Sequence, residues 1–506
     1  MLSTVPSATV VGVRGLAVRV EVHVGDGLPG FTMIGLPDTS CREARDRVRA
    51  AVLSSGLTFP NRKITVNLSP SNVRKVGASL DLAIAVAVLA ASEQLDAHAV
   101  VGVGFIGELG LDGSIRPTDG VLPMVAGIDA DTVVVPSADA GDARLGAAHR
   151  HVRCAAHLGE VVLALKGESP WPDPPSTSQD PEPPWGCDLA EVHGQPFARR
   201  AVEVAAAGGH HLLLVGPPGA GKTMLAERLP TILPPLDDAT ALEVSCIRSV
   251  VGDRTGSAGL LRRAPFRAPH HTASPVSMIG GGSGALRPGE VTRAHGGVLF
   301  LDELGEFPPA VLDALRQPLE ERVIRVSRAA ASATFPASFL LMAATNPCPC
   351  GFAPSLRCTC GPAAIARYRR RLSGPLLDRF DLRLLVSAAG HREVVAGAPG
   401  EPSVVVAERV AGARRRSRSR GVAVNAELSA ATLADCTRFT PAANAVLARA
   451  LETGRLSGRG LRRIRCVALT LDDLRGGDGV LDDEVVLAAL ALRSELTARE
   501  HAVVAS

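Results

Sequence analysis

"HLLLVGPPGAGKTMLAERL", residues 211–229, decides what kind of fold this chain adopts. Four consecutive apolar residues read as a buried strand, and a glycine-rich turn leads from them into an apolar-periodic run that reads as a helix. Gly216, Pro217, Pro218, Gly219, Ala220, Gly221, Lys222 and Thr223 match G-x-x-x-x-G-K-T in full, in the strand-to-helix context that gives the motif its meaning. Glycines let backbone N–H groups turn inward and cradle phosphate oxygens. Lys222 is expected to supply a point charge to the β and γ phosphates, and Thr223 to ligate Mg²⁺. Lysine occurs only at Lys63, Lys75, Lys166 and Lys222, and the other 50 basic residues are arginine. A lysine retained here suits the compact ammonium that such a site needs. The segment therefore predicts ATP and Mg²⁺ as cofactors on an α/β core.

The second half of such a site is expected from "VLFLDE", residues 298–303. Four apolar residues bury a strand, so Asp302 and Glu303 emerge at its carboxyl end beside the phosphates. Asp302 is expected to hold the Mg²⁺ shell, and Glu303 to orient and activate the attacking water. Asn346, closing the strand-like "FLLMAATN", is placed to orient the same water or touch the γ phosphate. Alone it reads equally as a turn residue before Pro347.

Outward from this core, "ESPWPDPPSTSQDPEPPWG" (168–186) holds seven prolines and almost no aliphatic residue, the composition of an extended linker. It divides the chain of 506 residues into an N-terminal α/β domain (1–166), a linker (167–187), an ATPase core (188–392) and a mainly helical lid (393–506). In the first domain, residues 18–24 alternate as a half-buried strand and 40–56 read as a helix. Residues 64–68 read as a strand, 79–92 as an almost wholly apolar and hence buried helix, and 102–117 as a hairpin turning at Asp112 and Gly113. The opening "MLSTVPSATV" lacks a basic segment followed by an apolar one, and the longest apolar run is about ten residues, short of a membrane span. A cytoplasmic protein with no membrane contact is expected. The net charge of +3 advertises no global attraction for nucleic acid, so any such contact must come from a local patch.

Four segments make the identity of the core more specific: "FRAPHHTAS", "GGGSGALRPGEVTRAHGGVLFLDELGEF", "ATNPCPCG" and "RLSGPLLDRFDL". With the glycine loop they resemble the magnesium-chelatase-type AAA+ ATPases, in particular the ComM/YifB-like family, and the likeness extends over nearly the whole chain. The resemblance implies an AAA+ P-loop α/β core with a C-terminal helical lid. It also implies a preceding α/β domain similar to Lon proteases and ribosomal proteins, a place for protein partners. Arg379 in "LLDRFDL" matches the arginine finger, which completes a neighbour's ATP site and so implies a homo-oligomeric ring, usually a hexamer. Arg459 in "LSGRGLRR" matches the second sensor, an arginine that reads the γ phosphate. Residues 322–339 resemble a hairpin that points into the ring pore, where Arg325 and Arg328 would meet a nucleic-acid backbone. ComM-type proteins imply DNA binding with helicase or branch-migration activity in recombination of incoming DNA. The alternatives are the ATPase subunit of a metal-chelatase-like complex and, further off, an ATP-dependent protease.

The protease alternative rests on "KVGASLD", Lys75 to Asp81, which shares K-x-G-x-S with the Lon nucleophile stretch. A serine–lysine dyad needs a neutral lysine within reach of the serine. The register of the resemblance puts Leu122 at the lysine position, and no lysine occurs between Lys75 and Lys166. An inactive domain is expected, with Lys75 and Ser79 capping and supporting the helix that follows. Cys348, Cys350, Cys358 and Cys360 form two pairs that can bind Zn²⁺, although C-x-C is tighter than the usual C-x₂-C and four reduced thiols in a loop remain the alternative. The arginine run 414–420 reads as a solvated face. His270 and His271 receive no role beyond loop hydrogen bonding. Aromatic residues are only 3% of the chain, so base stacking is poorly supplied and any DNA contact should be mainly with phosphates.

Overall fold

A computed structural model describes residues 1–174, 185–253, 259–282, 286–328, 331–372, 374–387, 399–454 and 456–493. Most of the proline-rich stretch (175–184) and the expected boundary at 392–393 lie outside the described residues. The chain folds as a mixed α/β protein. Among the described residues no helix is long and apolar enough to cross a membrane.

The N-terminal part contains a four-stranded sheet. Leu2–Val11 and Arg14–Gly25 pair antiparallel, Lys63–Ser69 joins antiparallel to the latter, and Gly30–Ile34 closes the sheet in parallel. A smaller parallel sheet is built from Val103–Phe105, Thr132–Pro136 and His151–Ala155. The expected hairpin is present, with Leu109 opposite Ile115. Between the sheets lies the helix Asp81–Ala91, every residue of which is buried, as its sequence, apolar after Asp81, requires.

This helix corrects one expectation. Its N-terminus has no side-chain cap, so neither Lys75 nor Ser79 caps it. Lys75 is wholly buried, with its ammonium turned back onto the carbonyl of Pro70. Ser79 contributes a backbone carbonyl, which accepts from Gly107 N. The charged group that matters here is Asp81, in the first turn, where a carboxylate also meets the positive end of the helix dipole. It is 1% exposed and accepts from Arg47 Nε at 2.6 Å. Burial pushes its carboxyl up to about 6, against the pull of the guanidinium. Removing Arg47 strands this carboxylate, so Arg47→Met should cost about 3–5 kcal/mol, read as a lowered midpoint in denaturant unfolding.

After the proline-rich stretch the chain builds a five-stranded parallel sheet in the order Phe266–Arg267, Val298–Leu301, Leu340–Thr345, Leu212–Val215, Leu382–Leu385. The three inner strands are fully buried runs, the signature of a parallel sheet covered on both faces. Of the C-terminal helices, Ser403–Ser419 and Gly458–Arg475 pack against Pro196–Gly208, the helix that enters the sheet, while Asp483–Ala491 packs against Gly458–Arg475 and Pro441–Glu452 against Asp483–Ala491. They share one apolar core with it: Val202, Leu214, Val406, Val467 and Val485 belong to a single cluster.

Much of the 414–420 arginine run is structural, contrary to the solvated face expected. Arg414 donates to Ala206 O at 2.6 and 2.9 Å, Arg416 to Asp473 O, and Arg420 forms a forked pair with Asp473. The reason is tertiary: these side chains tie one C-terminal helix to its neighbours. The hairpin expected at 322–339 is present, with Val323–Arg328 antiparallel to Ala331–Pro336. Phe335 buries its base against the turn at Gly12 and Val13 of the N-terminal part. Arg325 pairs with Glu321, and the Arg328 side chain lies outside what the structure describes. A further seam joins the two parts where Gly120 N donates to Ser249 O at 2.8 Å.

Candidate nucleotide site

The buried strand Leu212–Val215 delivers residues 216–221 to the helix Lys222–Arg228. Gly219 and Gly221 hold φ of +77° and +79°, backbone that a side chain would strain, and this conformation turns the loop into a cradle. Lys222 lies over the loop: its ammonium donates to Gly216 O (2.7 Å), Pro217 O (2.9 Å) and Asn346 Oδ1 (3.2 Å). Burial pulls its pKa below the usual lysine range, while Asp302 and Glu303 oppose the shift. Thr223 Oγ1 donates to Asp302 Oδ2 at 2.8 Å, and Asp302 Oδ1 accepts from Glu303 N at 2.9 Å. Asn346 follows the central strand Leu340–Thr345. Lys222, Thr223, Asp302, Glu303 and Asn346 thus converge at the carboxyl ends of three adjacent strands. The combination of a cationic loop and a hydroxyl paired with a carboxylate fits a Mg²⁺–triphosphate: Thr223 and Asp302 would hold the metal, and the loop N–H groups and Lys222 the phosphates.

Three contacts at this site went unread in the sequence. Gln195 clamps the loop from outside, donating to Ala220 O (3.1 Å) and Ser387 O (2.7 Å). Tyr368 lies within 3.4 Å of Thr345 Oγ1, beneath the end of the central strand. His271 Nδ1 stands 3.0 Å from Glu303 Oε2. The signal for His271 was its place in the "FRAPHHTAS" block; nothing in the spacing said what it would touch.

Arg379 and Arg459 are not brought to this site. Both line a cleft that includes His211, Gly297, Phe339 and Asp381, residues that precede the strands. A four-residue strand rises roughly 13 Å, so these arginines stand across the sheet from Lys222. For Arg459 the cause is the packing of Gly458–Arg475 behind Pro196–Gly208. Arg379 pairs with Glu320. Burial, and then the nearby charges of Arg463, Arg459 and Arg316, hold its pKa below the usual arginine range, which marks the cleft as cationic.

The four clustered cysteines place their Sγ atoms within 4.8 Å of one another. Cys348 to Cys350 is 3.4 Å, Cys348 to Cys358 3.8 Å and Cys350 to Cys358 3.6 Å. A tetrahedral Zn²⁺ with bonds of about 2.3 Å needs sulfurs about 3.8 Å apart. Ala353 N donates to Cys348 Sγ, a bond that steadies a thiolate. The donor set and its spacing therefore fit structural zinc. Gly351, at φ +84°, carries this knob onto the glycine loop: a Cβ there would lie 2.5 Å from Pro218.

Comparison with known proteins gives the family of the chain. Residues 188–394 match the family model described as magnesium chelatase, subunit ChlI; residues 20–139 match that for subunit ChlI of Mg-chelatase; residues 400–493 match that for its C-terminal part. An uncharacterized protein of Mycobacterium tuberculosis is 45% identical over 96% of this chain and 97% of its own length. The uncharacterized protein YifB of Escherichia coli is 41% identical over 94% of both chains, and the competence protein ComM of Haemophilus influenzae 40% identical over 94% of both. A partial match, 28% identical over 34% of each chain, is to Lon protease 2 of Bacillus subtilis.

Proposed function

Because this chain belongs to the magnesium chelatase ChlI family, with ComM and YifB as relatives, we propose that it is an ATP-hydrolysing ring motor that acts on DNA. One observation carries the ATPase reading: Lys222, Thr223, Asp302, Glu303 and Asn346 converge on one cradle. Lys222 and the loop N–H groups bind the phosphates, Thr223 and Asp302 hold Mg²⁺, and Asn346 and Glu303 orient water. Mg²⁺ held there would supply charge neutralisation to the phosphates. Arg379 and Arg459, at the other end of the sheet, serve a neighbour's nucleotide, which favours a closed ring, a hexamer in the ComM/YifB reading.

DNA as the substrate is supported by likeness to a protein named for competence and by the arginine-bearing hairpin 323–336. Contact through phosphates makes binding salt-dependent and weakly selective for sequence. Turnover of ATP measured with and without single-stranded or forked DNA tests this. Stimulation by DNA is expected, and the motor reading fails if DNA neither binds nor stimulates. A second reading, the ATPase subunit of a metal-inserting complex, takes support from the names of the matching family models. Recovery of chelatase-type partner subunits in pull-downs would favour it.

The cysteine knob is read as a structural zinc site that supports the glycine loop and Asn346. Purified protein should carry about one zinc per chain, and Cys348→Ser together with Cys358→Ser should lose it, as measured by elemental analysis. The N-terminal part is read as a partner-handling module without peptidase activity, since Lys75 is committed to Pro70 and Leu122 fills the register position of the general base.

A further inference from the structure

We propose that His271 is a positioning residue for hydrolysis: it holds the carboxylate of Glu303 in the direction from which that group can activate water. The inference rests on the reading of Glu303 as the water-orienting group.

The strand Phe266–Arg267 runs parallel to Val298–Leu301, with Phe266 opposite Val298 and Arg267 opposite Leu299. Residues following the two strands therefore leave the same end of the sheet side by side. Four residues beyond Arg267 stands His271, and two beyond Leu301 stands Glu303. Their side chains meet, Nδ1 to Oε2, at 3.0 Å.

His271 is itself held. The ring of His270 lies against it at 4.1 Å between centroids, and Phe307, 2% exposed, presents itself edge-on at 6.5 Å and 79°. His270 is pinned by its own loop: its Nδ1 lies 2.9 Å from Thr272 Oγ1, and its carbonyl accepts from Ala273 N at 2.9 Å. At the loop's root Arg267 forms a forked pair with Glu290, at 2.7 and 3.0 Å. An imidazole clamped this way offers its N–H from a fixed point.

Glu303, by contrast, needs a restraint. Its side chain is 52% exposed, so it would otherwise sample several rotamers. Its backbone holds φ at +52°, an orientation rare outside glycine. An N–H bond to Oε2 fixes the carboxylate plane and leaves Oε1 for water. The gain is one of orientation, which acts on kcat and leaves ATP binding to the loop and Lys222.

The test is steady-state ATP turnover by the full chain in three variants, with Glu303→Gln as a control and fluorescent-nucleotide binding as a separate readout. His271→Ala and His271→Phe should lower kcat about tenfold or more with KM for ATP within about twofold of wild type. His271→Asn, whose amide N–H reaches about where Nδ1 stands, should regain most of the lost rate. The proposal is overturned if His271→Ala turns over as wild type does, if His271→Phe matches His271→Asn, or if KM rises in step with the fall in kcat. A wild-type chain that binds nucleotide and never hydrolyses it would instead sink the motor reading.

Discussion

Lys222→Ala is expected to leave a folded chain without measurable ATP turnover, and Glu303→Gln one that still binds ATP but hydrolyses it about a hundredfold to ten-thousandfold more slowly. The two effects have different causes. Lys222 is the compact cation of the cradle. Its ammonium rests on the carbonyls of Gly216 and Pro217, and in the proposed nucleotide complex it would exchange them for phosphate oxygens. Alanine leaves the β and γ phosphates without that charge in a partly dry site, so binding and turnover fall together. In the proposed mechanism Glu303 would take a proton from water or align it, a contribution of about 10²–10⁴ in rate, and glutamine keeps its shape without its basicity. A fluorescent-nucleotide titration beside the turnover assay separates them: weakened binding for Lys222→Ala, near-normal binding for Glu303→Gln. Equal turnover in either variant and wild type would remove these residues from the chemistry.

How much of this was legible in the sequence follows from where the information lies. Glycine loop, lysine and threonine are contiguous, so spacing alone placed Gly216–Thr223. Asp302 and Glu303 were legible because a buried apolar strand must release its next residues at the carboxyl edge. The wholly buried helix at 81–91 was legible for a similar reason, since eleven residues with almost no polar side chain have nowhere else to go. The clamp by Gln195 and the contact of His271 with Glu303 were not, because each joins segments that only the sheet order brings together. The location of Arg459 depends on which face of the core the C-terminal helices cover, and helix periodicity does not encode that choice. Arg414 and Arg420 misled for a related reason: a charge run looks solvated until the carbonyls and Asp473 that receive it are known. Lys75 looked like a helix cap because it lies near the helix in sequence, whereas its chain doubles back to Pro70.

Arg379→Ala is the second large effect expected. A finger arginine stabilises transition-state charge on the γ phosphate and accounts for about 10³–10⁵ in rate where it has been placed. Arg379, proposed for this role, lies across the sheet from its own chain's Lys222, beside Arg459 and Arg463 in a cationic cleft. Its loss should therefore abolish turnover in rings built only of the variant, while nucleotide binding, which depends on the cradle, stays near wild type. Gel filtration should show assembly retained, because among the described residues the ion-pair partner of Arg379 is Glu320 of its own chain. Retained turnover would place the finger elsewhere, with Arg463 and Arg316 as the nearest candidates.

The central claim is that each ATP site is divided between two chains, and mixing the two inactive variants tests it most directly. Lys222→Ala keeps its arginine and lacks its cradle; Arg379→Ala keeps its cradle and lacks its arginine. Co-assembled at equal amounts, about one site in four joins an intact cradle to an intact neighbouring arginine, so turnover should return to about a quarter of wild type. Turnover no greater than the sum of the two separate variants, in mixed rings shown to have formed, would contradict a shared site.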